Sequence, residues 1–394
     1  MPGFEFIGEE ERREIQQVLD SGVLMRYGFD GARNGQWKCR ELEQQLATRF
    51  GVRYAHVCSS GTAALSTALA ACGVGAGDEV ILPPFTFVAD LETVLFAGAV
   101  PVFAEINQTL CLDPRSVEQA ITARTKAVLA VHMCGAMAQI DALEAVCRRH
   151  HLTLIEDAAQ AAGATFRGRS LGTFGKVGCL SFDYVKTITC GEGGALLTDD
   201  EEAYRLAQAF TDHGHDHLGA DRGADHHPHI GINYRLSELH AAVGVAQLGR
   251  LDRILDLQRR HKAMLKEGLA GRRGLEFRTL PDPSGDSATF LSFLLPSEDE
   301  ARRGAQALAA AGVDGCFYWY DNNWHYHRKW DHIKRLSSPG RLAIDRFGYG
   351  ADLMKVALPQ SDALMSRTIS MLIKLRWTTD QVHDRLARMK SALA

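Results

Sequence analysis

From about Val52 to Thr198, short apolar runs alternate with amphipathic stretches. No other feature constrains the fold as strongly. A short run that is apolar on both faces belongs inside a sheet covered by helices, and the helix that follows it crosses over to the next parallel strand. Val80–Leu82, Val100–Phe103, Ala127–Val131 and Leu152–Ile155 read as strands; Leu42, Leu46 and Phe50 recur at helical spacing, as do Leu143, Val146 and Cys147. The expected fold class is therefore α/β, with a large, mostly parallel central sheet.

A chain of 394 residues with 46% hydrophobic content exceeds one core of ordinary size. A long amphipathic stretch from Leu236 to about Leu269, carrying Leu239, Val243, Leu248, Leu251 and Leu255, reads as the connector out of the first unit. The segment PDPSGD (Pro281 to Asp286) is a loop by composition. Beyond it, Thr289–Leu295, a helix near Glu298–Ala311 and Cys316–Tyr320 predict a smaller α+β unit. The division is expected at residue 255, with residues 1–255 forming the large unit and 256–394 the small one.

The formal net charge of −4 argues against a nucleic-acid binder that relies on bulk positive charge. Nine cysteines without a CxxC pair read as reduced, intracellular thiols. The opening MPGFEFIGEEERREI has no apolar core of a secretory signal, and no apolar run is long enough to span a membrane. A cytoplasmic protein without membrane contact is the expectation.

Three motifs carry chemistry. SSGTAAL (Ser59 to Leu65) reads as a helix start, where free backbone N–H groups and the helix dipole favour an anion; Gly61 allows close approach and Thr62 adds a hydroxyl. EDAAQ (Glu156 to Gln160) follows an apolar run, so Asp157 stands at the carboxyl end of a strand, where open α/β sheets place ligands, with Gln160 one helical turn on. SFDYVKTITCGEGG (Ser181 to Gly194) sets Ser181, Lys186 and three glycines between two apolar runs. An anion site, a buried acid and a lysine are what pyridoxal phosphate needs from a protein: a phosphate cradle, a partner for the ring nitrogen, and a Schiff-base amine that also shuttles a proton. Taken singly, each motif has an ordinary structural reading, as a capped helix, a helix-capping aspartate or a turn lysine.

Other segments are more ambiguous. Phe87 in PPFTFVAD either stacks on a cofactor ring or packs in the core. GVGAGDEV (Gly73 to Val80) lacks the strand before and helix after it that a dinucleotide loop requires, and reads as a helix-to-strand turn. Six of the 16 histidines fall between His213 and His229. Glycines and carboxylates dilute that run, so a polar loop near the mouth of a site is expected rather than a metal centre. GCFYWYDNNWHYHRKW (Gly315 to Trp330) is unusually aromatic, and Tyr320, Asn323, Trp324 and His325 are candidates for a sugar pocket, with a core strand and packed loop as the alternative.

Together, SGTAAL, PPFTFVA, EDAAQ, SFDYVKTITCGEGG and GINYRLSELHAAVGVAQL, in this order, resemble the DegT/StrS group of fold-type I sugar aminotransferases. By this resemblance Lys186 and Asp157 are catalytic. Gly61, Thr62, Ala63 and Ser181 hold the phosphate, Phe87 stacks on the ring, and Asp157 and Gln160 bind its polar edge. The resemblance also implies that Asn233 reaches across a homodimer to the neighbour's phosphate, making active sites shared. Within the family, MPGFE, DHGHDH, GCFYWYDNNWHY and SRTISMLIKL are similar to members that pass an amino group from glutamate, leaving 2-oxoglutarate, to an 8-oxo-3-deoxy-manno-octulosonate of lipopolysaccharide. A nucleotide-linked keto-sugar is the alternative acceptor. A dehydratase branch replaces the lysine with histidine; this chain keeps lysine. Both expected substrates carry carboxylates, and Arg26 and Arg367 are the candidate partners, with Tyr320 and His325 at the sugar.

Overall fold

The computed structural model describes residues 3–219, 221–347 and 356–394. Strands β1 (Tyr54–Cys58), β2 (Glu79–Leu82), β3 (Val100–Phe103), β4 (Thr125–Val131) and β5 (Thr153–Asp157) are followed by a small hairpin of β6 (Thr165–Phe166) and β7 (Arg169–Ser170). Then come β8 (Val177–Ser181) and β9 (Gly194–Thr198). Helices α1 (Glu9–Ser21), α2 (Lys38–Phe50), α3 (Gly61–Ala71), α4 (Ala89–Phe96), α5 (Pro114–Ala120), α6 (Ile140–Arg149) and α7 (Glu201–Thr211) alternate with them.

The seven-stranded sheet has the order β1-β9-β8-β5-β4-β2-β3. Pairing is parallel through β3, β2, β4, β5 and β8, and antiparallel where β9 meets β8 and β1, so only β9 runs against the rest. Burial explains the sequence pattern: β2, β8 and β9 are buried at every position, as strands covered on both faces must be. All the strands except β9 thus end on one edge, and the loops beyond that edge carry the three motifs. The Gly73–Gly77 stretch is the turn from α3 into β2, with Gly73 and Gly77 at positive φ.

The Leu236–Leu269 stretch is not one helix. It divides into α8 (Glu238–Leu248) and α9 (Leu251–Leu269) at Gly249 and Arg250. The break follows a change of surroundings. Helix α8 is buried among α1 and α2, where a Cβ on Gly244 would come within 2.7 Å of Cys190 Sγ and of a Leu42 methyl. Helix α9 leaves that layer: Leu251, Ile254 and Leu255 join the core of the large sheet, whereas Leu265 and Leu269 join a second core. The second core lies against a four-stranded sheet of order β10-β11-β13-β12, formed by β10 (Glu276–Phe277), β11 (Phe290–Leu294), β12 (Cys316–Tyr318) and β13 (Thr368–Leu372). Helices α10 (Glu298–Ala310) and α13 (Thr379–Ala392) complete this part, whereas α11 (Asp331–Lys334) and α12 (Pro359–Met365) bury Ile333, Leu364 and Met365 in the first core. A cut at residue 255 falls inside α9, the helix that belongs to both cores.

Candidate functional site

Helix α3 begins where the sequence predicts. The Ser60 hydroxyl caps it by accepting the N–H of Ala63 at 3.0 Å, which leaves the first-turn N–H groups of Gly61 and Thr62 without an intrahelical acceptor. Two close approaches explain the glycines. A Cβ on Gly61 would sit 2.7 Å from Ser181 Cβ, and one on Gly194 would sit 2.3 Å from the Ser60 carbonyl oxygen. The helix start is therefore pressed against the end of β8 and the beginning of β9, with Ser181 buried beside it.

Asp157 ends β5 and is 6% exposed. Its Oδ1 accepts the Ala159 N–H at 2.8 Å. Burial chiefly raises its pKa, against that N–H and the charge of Lys186. His132 stands behind it. Its Nδ1 accepts the Ala138 N–H at 3.2 Å, so its Nε2–H donates to Glu156, at 2.9 Å. Gln160 is buried, and its side-chain oxygen accepts the Cys134 N–H at 3.0 Å. This hydrogen bond fixes the amide so that its NH2 is the end left for a ligand. Cys134 is held at φ 56° and Gly135 at φ 78° to make that turn.

Lys186 lies in the loop between β8 and β9. Its N–H donates to the Asp183 carbonyl at 3.0 Å, and its own carbonyl accepts the Gly3 N–H at 2.9 Å. A Cβ on Gly3 would come within 2.7 Å of the Thr187 carbonyl oxygen, so the amino-terminal segment closes under the lysine loop. Burial lowers the Lys186 pKa below the ordinary lysine value, opposed chiefly by the carboxylates of Asp157 and Asp183.

Two further groups meet the lysine. His325 arrives from the aromatic segment, whose backbone is tied to the loop after β2: Thr86 N–H donates to the His325 carbonyl at 3.0 Å, and Val88 N–H to that of Trp324 at 2.9 Å. Burial, reinforced by the Lys186 charge, pushes the His325 imidazole down to about 3. Its ring lies 5.5 Å from Phe87 and 4.7 Å from Trp319. Phe87 is 38% exposed while Phe85 is fully buried, so Phe85 takes the core position of that loop. The second group, Asp90, was not singled out from the sequence. In sequence it reads as an acid in the first turn of a helix, serving the dipole; only its complete burial marks it.

The remaining candidates are placed elsewhere. Arg26 is buried; its guanidinium donates to Glu43 at 2.7 Å and to the Val57 carbonyl at 2.8 Å. Arg367 donates to the Leu295 carbonyl at 2.6 Å and faces Glu276 at 3.6 Å. Neither arginine makes a hydrogen bond or ion pair to Lys186 or Asp157. Tyr320 is buried against Tyr326, with Arg328 over its ring at 3.9 Å, whereas Trp324 is 61% exposed. Asn233 is exposed, and its side-chain oxygen accepts the N–H of Arg235 at 3.3 Å. The histidine loop folds beside Arg26: a cavity of about 700 Å³ is lined by Arg26, Tyr27, Arg53, His217 and Arg222 among others. Asp212 anchors the loop through Arg222 and Arg235. Among the described residues no cluster of three or more histidine, cysteine or acidic groups is arranged to hold a metal.

The donor set fits pyridoxal phosphate. First-turn N–H groups and the Ser181 hydroxyl suit a phosphate, a buried carboxylate suits a ring N–H, an amide NH2 suits a phenolic oxygen, and a desolvated amine suits an aldehyde. Comparison with known proteins agrees. Residues 5–339 match the model of the DegT/DnrJ/EryC1/StrS aminotransferase family. An L-glutamine:2-deoxy-scyllo-inosose aminotransferase of Micromonospora echinospora is 37% identical over 352 residues, covering 85% of this chain and 82% of the relative. The spore coat polysaccharide biosynthesis protein SpsC of Bacillus subtilis is 38% identical over 282 residues, covering 70% and 68%. The crystal structure of an aminotransferase from Psychrobacter cryohalolentis superposes with a TM-score of 0.83 at 27% identity, covering 98% of this chain and 96% of that one. The chain belongs to the DegT/DnrJ/EryC1/StrS family of pyridoxal-phosphate-dependent sugar aminotransferases.

Proposed function

We propose that the protein moves an amino group from glutamate to the aldehyde of 8-oxo-3-deoxy-manno-octulosonate, giving 8-amino-3,8-dideoxy-manno-octulosonate for lipopolysaccharide, as a cytoplasmic homodimer. The observation that carries the reaction class is the desolvated amine of Lys186 set against the buried Asp157 carboxylate. The aromatic segment brought to that amine through His325 supports a sugar acceptor.

Bound pyridoxal phosphate supplies the aldehyde that takes up the amino group and an electron sink for the bond broken at the donor's carbon. The residues divide the remaining work. Lys186, whose pKa burial lowers, gives up its proton more readily to form the covalent link, and its amine then carries the proton between donor carbon and cofactor carbon. Asp157 holds a proton on the ring nitrogen, and the Gln160 NH2 orients the ring's oxygen. Gly61, Thr62 and Ser181 anchor the phosphate, helped by Asn233 from a second copy, while the Ala63 N–H is taken by the Ser60 hydroxyl. Phe87 and His325 cover the ring and exclude water. Glutamate leaves as 2-oxoglutarate before the sugar enters. Arg26 and Arg367 bind substrate carboxylates in this scheme only if a second copy or a shift of the small unit frees them from Glu43 and Leu295.

A second reading rests on the relatives, several of which are named as L-glutamine:inosose aminotransferases. It makes a cyclic polyol ketone the acceptor and glutamine the donor. Offering each donor with each acceptor, and following the keto-acid and the mass of the aminated product, separates the two. The octulosonate reading fails if only scyllo-inosose or a nucleotide-linked keto-sugar gains nitrogen. An amine-free, dehydrated product would point to the dehydratase alternative. Lys186→Ala should abolish turnover and the visible band of the holoprotein; retained transamination would remove the lysine from its role.

A further inference from the structure

Asp90 is the buried acid of this site to which the scheme above gives no task. It stands in the first turn of α4, in the loop that follows β2, and is fully buried. Its Oδ2 accepts the hydroxyl of Thr86. Its Oδ1 is buried without a hydrogen-bond partner, and the carboxyl lies within hydrogen-bonding reach of Asp157. A helix-dipole acid would not require this position, since the dipole is served equally well from solvent. Burying one oxygen unpaired against a second carboxylate costs free energy unless a proton lies between them.

Two buried carboxyl groups in contact do not both ionise. The surroundings decide which one keeps its charge. Asp157 accepts the backbone N–H of Ala159, whereas Asp90 accepts the weaker Thr86 hydroxyl; Lys186 faces both, and Cys179 lies near both. His325 adds no positive charge, because its imidazole stays neutral beside Lys186. The proton therefore belongs on Asp90.

We infer that Asp90 is a positioning residue: a neutral carboxylic acid whose Oδ1–H donates to the Asp157 carboxylate and holds that carboxylate toward the ring nitrogen. This rests on the reading of Asp157 as the ring-nitrogen partner. The arrangement orients Asp157 without adding a second negative charge under the ring. The ion pair between Asp157 and the protonated ring stays one-to-one, and burial of the pair removes the unpaired oxygen of Asp90.

Three measurements on Asp90→Asn, Asp90→Ala and Asp157→Asn test it. Infrared difference spectra of the apoprotein at neutral pH should show the C=O stretch of a protonated buried carboxyl, lost in Asp90→Asn; its absence from the wild type overturns the proposal. The pH at which the holoprotein's visible band changes should move by less than about 0.3 unit in Asp90→Asn, because a neutral donor replaces a neutral donor. If Asp90 were ionised, removing its charge would move that pH by about one unit or more. The dissociation constant of pyridoxal phosphate, measured by quenching of tryptophan fluorescence, should rise about tenfold in Asp90→Ala. Wild-type affinity in Asp90→Ala beside a clear loss in Asp157→Asn sinks the role of Asp90 alone. No loss in Asp157→Asn sinks the reading on which it rests. Should Asp90→Ala fail to fold, the infrared band and the Asp90→Asn titration still decide.

Discussion

The chemistry at Lys186 and His325 is set by the withdrawal of water rather than by residue type. An amine that loses hydration holds its proton less tightly, and a nearby positive charge does the same to an imidazole. Both effects converge here, with measurable consequences for stability. His325 titrates near 6.5 in an unfolded chain and near 3 in the folded one, and His327 is similarly lowered to about 4, chiefly by burial. Below 6.5 the unfolded chain binds protons that the folded protein refuses, so stability present above that pH is lost as pH falls toward 3. The urea midpoint should therefore drop steadily between pH 6.5 and 4. His325→Gln should make that slope shallower and leave the shares of His327 and of the other buried histidines, His56 and His217. An unchanged slope would mean that the His325 ring reaches water in the folded protein. Phe87→Ala, which opens the same cover, should raise the off-rate of the cofactor with little change in unfolding.

At the level of elements, the site depends on how closely α3 approaches β8 and β9. Ser60 caps the helix, Gly61 passes over Ser181, and Gly194 passes beneath the Ser60 carbonyl. Ser60→Ala should cost about 1 kcal/mol of stability through the lost cap. Gly61→Ala should do more damage to cofactor binding than to folding. The added methyl meets Ser181 at 2.7 Å and displaces the helix start from the phosphate position. Calorimetry of the apoprotein set beside cofactor titration distinguishes these outcomes; Gly61→Ala with wild-type cofactor affinity would mean that the helix start does not touch the phosphate. Gly194→Ala, aimed at backbone rather than at a side chain, should abolish soluble expression.

At the scale of the molecule, α9 joins two cores, and its buried face changes from Leu251, Ile254 and Leu255 to Leu265 and Leu269 along its length. The buried ion pair of Lys262 with Asp286 fastens the same helix to the loop before β11. Leu265→Ala should cost about 2–5 kcal/mol, as core truncations do, and should loosen the small sheet before the large one, read by hydrogen exchange. The exposure of Asn233 bears on assembly. If a second copy completes each phosphate site, mixing Lys186→Ala with Asn233→Ala subunits should restore one intact site per hybrid dimer and raise activity above either parent. A mixture no better than its components would mean that each protomer binds its cofactor alone. Among the described residues no helix is long and apolar enough to cross a membrane.

Much of this could be read from the linear chain, for a reason specific to parallel sheets. Their ligand edge is built from segments that directly follow strands. SSGTAAL, EDAAQ and SFDYVKTITCGEGG therefore carry their chemistry as short contiguous words, and the strands before them show as apolar runs. What folding alone decided is everything set by a neighbour distant in sequence. Arg26 turns to Glu43 and Val57, and Arg367 to Leu295 and Glu276, because an ion pair or carbonyl close in space outweighs any role that residue type suggests. Gly249 and the change from one core to another divided an apparently continuous helix. Asp90 comes to Lys186 and Asp157 only through burial, and burial has no signature in the order of residues: it depends on which other surfaces close over a group, and those surfaces come from the whole chain at once.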